Sequence, residues 1–134
     1  MIERAQVEDW VARYERAWRT PGTEPLRELF AEDAKYRTAP YREPYAGLDR
    51  IGEMWEAERE GADEVFTMTS EIVAVDGDTA VVRVEVKYDD PVDREYRDLW
   101  LIRFGEDGRA VAFEEWPFWP GQPLSAKAAA GGSS

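Results

Sequence analysis

The residue pattern predicts an α+β domain, and three observations carry that prediction. Apolar residues recur at helical spacing in the first sixty residues. From about residue 64 the period switches to two. The segments between the later runs carry turn chemistry: Asp76-Gly77-Asp78, Asp89-Asp90-Pro91 and Gly105-Glu106-Asp107-Gly108. Helices first and a hairpin-connected meander after make an α+β layout.

Val7, Trp10, Val11, Tyr14 and Trp18 share one face of a helix over about Gln6–Thr20, which Pro21-Gly22 stops. Thr23 is placed to cap a short second helix, with Pro25 in its first turn and Leu26, Leu29 and Phe30 on one face. Asp33–Thr38 reads as a short strand. Pro40 to Gly47 reads as a loop, punctuated by two prolines and a glycine. A third helix is expected over about Asp49–Glu60, with Ile51, Met54 and Trp55 inward and Gly61 ending it. Glu64–Val75, Thr79–Tyr88, Arg94–Phe104 and Ala110–Phe118 then read as four strands of an antiparallel sheet. The expected domain is 1–120. Residues 121–134 read as a flexible tail, its small, polar end resembling an expression scar.

Composition narrows the chemistry. The 134 residues fit one domain able to bury a core without staples. The chain has no Cys, which excludes disulfides and thiolate catalysis. It has no His, which excludes Ser-His-Asp machinery and removes the commonest metal ligand. Acid–base work falls to Asp, Glu, Tyr, Lys or water. No metal site or cofactor is expected; the acids at 76, 78, 89, 90, 93 and 107 read as solvated turns without Ca²⁺-loop spacing. A net charge of −12 argues against nucleic acid or anionic membrane as partner. No apolar run near the start suggests a signal or span, so cytoplasm is the default expectation. Aromatics reach 13%, enough to line a ligand pocket or an interface as well as a core.

Thr79–Tyr88 (T-A-V-V-R-V-E-V-K-Y) alternates Val82, Val84 and Val86 with Arg83, Glu85 and Lys87. Alternation alone favours the valines in the core and the charges in water. The opposite register puts an Arg–Glu pair inside.

The element order resembles the nuclear transport factor 2-like superfamily, which includes SnoaL-like polyketide cyclases, ketosteroid isomerases and limonene-type epoxide hydrolases. The local match is Leu29-Phe30-Ala31-Glu32-Asp33-Ala34, then Pro44-x-x-Gly47 leading into the third helix. The resemblance covers roughly Val7 to Pro120. It implies a cone-shaped fold, three N-terminal helices packed on a curved antiparallel sheet around a deep apolar cavity. It also implies a homodimer formed through the outer sheet face.

Carried over position by position, the ketosteroid isomerase pattern places Tyr14 at the oxyanion-donating Tyr. Its two acids fall at Thr38 and Trp100, so that activity is not expected. The epoxide hydrolase pattern is closer. Tyr36-Arg37-Thr38-Ala39-Pro40 resembles its Tyr-x-Asn-x-Pro, Arg83-Val84-Glu85 its Arg-x-Asp, and Glu115 its final-strand Asp. Aligned without gaps from Glu71, Arg83 and Glu85 face the cavity, and so do Phe113, Glu115 and Pro117. The resemblance therefore implies Arg83, Glu85, Glu115 and Tyr36 as catalytic candidates. Tyr14, Trp18, Thr38, Trp55, Phe66, Asp98, Trp100 and Phe113 are the ligand-binding candidates. Asp98 also reads simply as the wet end of a core strand.

The expected function is binding of a small hydrophobic molecule, with cofactor-independent acid–base catalysis of hydrolase, isomerase or cyclase type. The competing readings are a non-catalytic binding or dimerisation module and an engineered scaffold.

Overall fold

A computed structural model describes residues 1–59, 65–90, 94–123, 125 and 127. The helix stop at Gly61, the strand start at Glu64, the turn residues Pro91 and Asp93, and most of the expected tail lie outside the described residues.

The amphipathic first segment forms α1 (Arg4–Arg19), burying Val7, Trp10, Val11, Tyr14 and Ala17. Glu3 and Gln6 close a reciprocal capping box at its start. A single helical turn, α2 (Leu26–Leu29), follows. Thr23 does not cap it through its side chain; its carbonyl accepts from Leu26 N–H at 3.1 Å. The chain then enters β1 (Phe30–Arg37), three residues earlier than expected.

Within the expected loop, Tyr45–Ala46 forms a two-residue strand, β2, antiparallel to β1. Gly47 turns the chain into α3 (Leu48–Glu58) with φ of 91°, a conformation that favours glycine. Its N–H bonds Ala34 O at 2.8 Å and its carbonyl accepts from Ile51 at 3.0 Å. The meander follows as β3 (Val65–Asp76), β4 (Thr79–Asp90), β5 (Arg94–Phe104) and β6 (Ala110–Phe118).

The six strands form one curved, unclosed sheet in the order β2-β1-β6-β5-β4-β3. The expectation of an antiparallel sheet is corrected: β1 lies parallel to β6, so the sheet is mixed. The parallel pairing arises because β1 and β6 are distant in sequence. The connection between them is the whole helix-and-meander unit rather than a tight turn.

The core fills the space between the helices and one sheet face. Trp10 sits at its centre, 1% exposed, with its indole N–H donating to Leu29 O at 2.9 Å. Phe30 and Phe104 pack edge-on against it at 5.6 and 5.8 Å. Ala80, Val82 and Val84 of β4 are fully buried beneath this layer.

That burial corrects the gap-free register. Arg83 and Glu85 do not face the cavity. Arg83 pairs with Glu71 at 2.9 Å and Glu85 with Arg97 at 3.4 Å, all four side chains more than half exposed. The reason is cross-strand geometry. Residues directly opposite one another share a sheet face. Val82 lies opposite Trp100, and Trp100 opposite Glu115. With Trp100 and Glu115 inward, Val82 and Val84 must also be inward and Arg83 outward. Val73 is inserted at a bulge between Ile72 and Ala74, a parity change that an unbroken register does not accommodate.

Candidate functional site: an acid pair in an aromatic cavity

Away from Trp10, the space between helices and sheet opens into a cavity of about 250 Å³. Tyr14 and Trp18 reach it from α1, Met54 and Glu58 from α3, and Tyr36 and Thr38 from β1 and the residue after it. The sheet supplies Phe66, Met68, Val86, Tyr88, Arg94, Tyr96, Asp98, Trp100, Glu115 and Pro117. Inward positions on a strand recur every second residue. That is why Arg94, Tyr96, Asp98 and Trp100 line it as a series, and Glu115 and Pro117 likewise.

Eight of the expected residues meet here: Tyr14, Trp18, Tyr36, Thr38, Phe66, Asp98, Trp100 and Glu115. Four do not. Arg83 and Glu85 are on the outer face, as above. Trp55 and Phe113, expected to touch ligand, lie behind the lining, 0% and 1% exposed. Phe113 stacks on Tyr14 at 5.6 Å between centroids and 14° between planes, and approaches Tyr36 to 4.5 Å. Trp55 packs edge-on against Tyr14 at 5.1 Å and Trp18 at 4.8 Å. Both hold lining side chains in place. Tyr88 and Tyr96 also line the cavity without having been expected there: Tyr96 sits two residues from Asp98, whereas Tyr88 has the parity of Val82, Val84 and Val86, which the family register placed outside.

The polar centre is a chain of hydrogen bonds. Tyr14 and Tyr36 share one between their hydroxyls at 2.7 Å. Tyr36 Oη donates to Glu115 Oε1 at 3.3 Å. Glu115 in turn hydrogen-bonds Asp98, its diagonal neighbour across β5 and β6. Burial pushes the Glu115 carboxyl well above its usual range, and the nearby Asp98 charge pushes it further. Burial also raises Asp98, from 3.8 to about 6, while the hydrogen bond from Glu115 opposes the rise. Glu115 therefore holds the proton and donates it to the Asp98 carboxylate. Both tyrosines are raised well above 10.0, by burial first and then by neighbouring groups, so they stay neutral donors.

Asp98 Oδ1 and Trp100 Nε1 make no well-formed hydrogen bond among the described residues, although the Trp100 indole N–H and the Phe118 backbone lie close enough to lower the Asp98 carboxyl. Asp98 is 6% exposed. A buried carboxylate oxygen without a well-formed hydrogen bond carries a free-energy cost that a ligand donor relieves.

A neutral acid beside an ionised one, in an aromatic pocket, is suited to moving protons on a small, weakly polar molecule. Residues 11–113 match the SnoaL-like domain model, and the chain belongs to that family. Comparison with curated proteins finds no match. Similar solved structures include SalBIII, an epoxide hydrolase/cyclase-like enzyme in pyran ring formation in polyether salinomycin. It has 15% identity and a TM-score of 0.72, over 88% of this chain and 95% of that one. A protein from Jannaschia sp. CCS1, assigned as a SnoaL-like polyketide cyclase, has 15% identity and a TM-score of 0.69, over 87% and 91%. One from Kribbella flavida, assigned as a ketosteroid isomerase, has 17% identity and a TM-score of 0.67, over 93% and 87%. At these identities the likeness is one of fold.

Proposed function

We propose that the chain binds a small, weakly polar molecule in the aromatic cavity and catalyses a cofactor-independent proton transfer on it, with Asp98 as base and Glu115 as acid. The observation that carries this reading is the Tyr14–Tyr36–Glu115–Asp98 hydrogen-bond chain, which ends in a carboxyl buried at the cavity wall. In the step envisaged, Asp98 takes a proton from water or from an acidified C–H. Glu115 gives its own proton to the oxygen on which charge develops. Asp98 then carries a proton and Glu115 a charge, and exchange through their shared hydrogen bond resets the pair. Tyr36 supports the Glu115 carboxyl, and Tyr14 orients Tyr36. Opening of an epoxide by water, or isomerisation or dehydration beside a carbonyl, fits this proton traffic. Arg83 and Glu85 have no part in it.

A panel of small cyclic epoxides and β,γ-unsaturated cyclic ketones tests the proposal. Turnover should fall by about 10²-fold or more in Asp98→Asn and in Glu115→Gln. Turnover that survives in the double variant refutes it. The second reading, a binding module without turnover, is favoured by Arg83 lying outside the cavity, which leaves the acids without the cation that the epoxide hydrolase pattern supplies. Binding without turnover across the panel selects that reading.

The expected homodimer remains part of the proposal. Its outer sheet face carries the Arg83–Glu71 and Glu85–Arg97 pairs in place of valines. Sedimentation at low and high salt tests it, since exposed pairs are screened by salt.

A further inference from the structure

Eight large hydrophobic side chains are exposed among the described residues, and five of them line one depression: Tyr41, Tyr45, Trp116, Phe118 and Trp119. Scattered exposed apolar residues are ordinary, but a concentration of this kind marks a binding surface. The depression is a groove of about 940 Å³, bounded by the 38–45 loop, α3 and the end of β6. Thr38, Glu58 and Pro117 line both the groove and the acid-containing cavity. The groove therefore adjoins the cavity across these three residues. Arg50 and Glu58 mark its course along α3, eight residues apart, which is about 12 Å of helix. The charged groups along it balance, Arg42 and Arg50 against Glu43 and Glu58.

We propose that cavity and groove form one continuous site for an elongated, uncharged molecule, with a compact oxygen-bearing head at Glu115 and Asp98 and an apolar tail lying against Tyr41 and Trp119. The proposal rests on the cavity reading above and adds the substrate class. The cavity alone is smaller than the roughly 300–1,000 Å³ that small-molecule pockets usually offer. The groove supplies the remaining contact area. Its balanced charge disfavours an ionic tail, and the acid pair disfavours an anionic head.

Binding of a 4-alkylphenol series, from ethyl to octyl, tests this at pH 7 by calorimetry. The phenol is a neutral head with one donor for Asp98, and only the tail length changes. Full burial of each methylene is worth roughly fourfold in affinity. A half-open groove should still give at least about thirtyfold from ethyl to octyl. Trp119→Ala combined with Tyr41→Ala should reduce that ratio to within about threefold. Both residues are exposed, so the variant should keep the native fold, checked by its near-ultraviolet spectrum. A flat series in which 4-ethylphenol binds overturns the groove and leaves the cavity reading intact. Binding of 4-octylphenol without 4-ethylphenol overturns the continuity of the two. Failure of every member overturns both readings. Concentration-dependent dimerisation that Trp119→Asp abolishes, together with a flat series, assigns the groove to a second copy of the chain and overturns the proposal.

Discussion

Neutralising the acid pair with Asp98→Asn and Glu115→Gln should stabilise the fold at neutral pH relative to acid pH. Asp98 rises from 3.8 to about 6 on folding. At 1.36 kcal/mol per pKa unit, that is worth about 3 kcal/mol. The sign follows from proton counting. Below about pH 4 the Asp98 carboxyl is protonated in both states and contributes nothing differential. Between about 4 and 6 the unfolded chain has lost the proton that the native state still holds. Native stability therefore falls as pH rises and stays lower above 6. Glu115 is raised too, by burial and by the Asp98 charge, and acts in the same direction. Urea denaturation followed by tryptophan fluorescence, at pH 4 and pH 7.5, measures the stability of both proteins. The gain of the double variant over the wild type should grow by at least about 3 kcal/mol between the two pH values. Subtracting the two proteins removes the contributions of the surface carboxylates. A difference constant to within about 0.5 kcal/mol refutes the reasoning and places both carboxyls in water.

Tyr36→Phe removes the hydroxyl that joins Tyr14 to Glu115, and should cost about 1–2 kcal/mol in denaturation while raising the Glu115 pKa further. Val84→Ala should cost about 2–3 kcal/mol, because Val84 is fully buried. Arg83→Ala should cost under about 0.5 kcal/mol, because its pair with Glu71 is exposed; the reverse order of the two would return Arg83 to the interior. Gly47→Ala should cost about 1–2 kcal/mol by forcing a side chain onto a φ of 91°, seen as a lower thermal midpoint.

The helices and meander were legible in the sequence because their periods are long and their turns carry Gly, Asp and Pro. The two-residue β2 was not, since two residues hold no period and Tyr45–Ala46 is flanked by Pro44 and Gly47. The parallel β1–β6 contact joins segments more than seventy residues apart, and nothing local encodes it. Arg83 and Glu85 show where resemblance and pattern pull apart. Plain alternation put the valines inside, and the structure agrees with it. The family register put the charges inside, yet the same register also put Trp100 inward. The β4–β5 pairing sets Val82 opposite Trp100, so the two placements conflict. Glu115 is legible through the resemblance, which sets it at a final-strand acid between aromatics within Phe113-Glu114-Glu115-Trp116. Asp98 reads from its strand alone as a wet strand end, because its depth depends on the helices that cover it, which a strand pattern cannot show.

The central claim is that Asp98 and Glu115 share a proton inside an aromatic cavity. Carboxyl ¹³C chemical shifts of the two side chains, followed by NMR from pH 3 to pH 9, test it most directly. An Asp98 midpoint near 6 and a Glu115 midpoint shifted well above the usual carboxylate range, the two titrations being coupled, are expected. Two independent titrations near pH 4, each in the range of an exposed carboxylate, would contradict it.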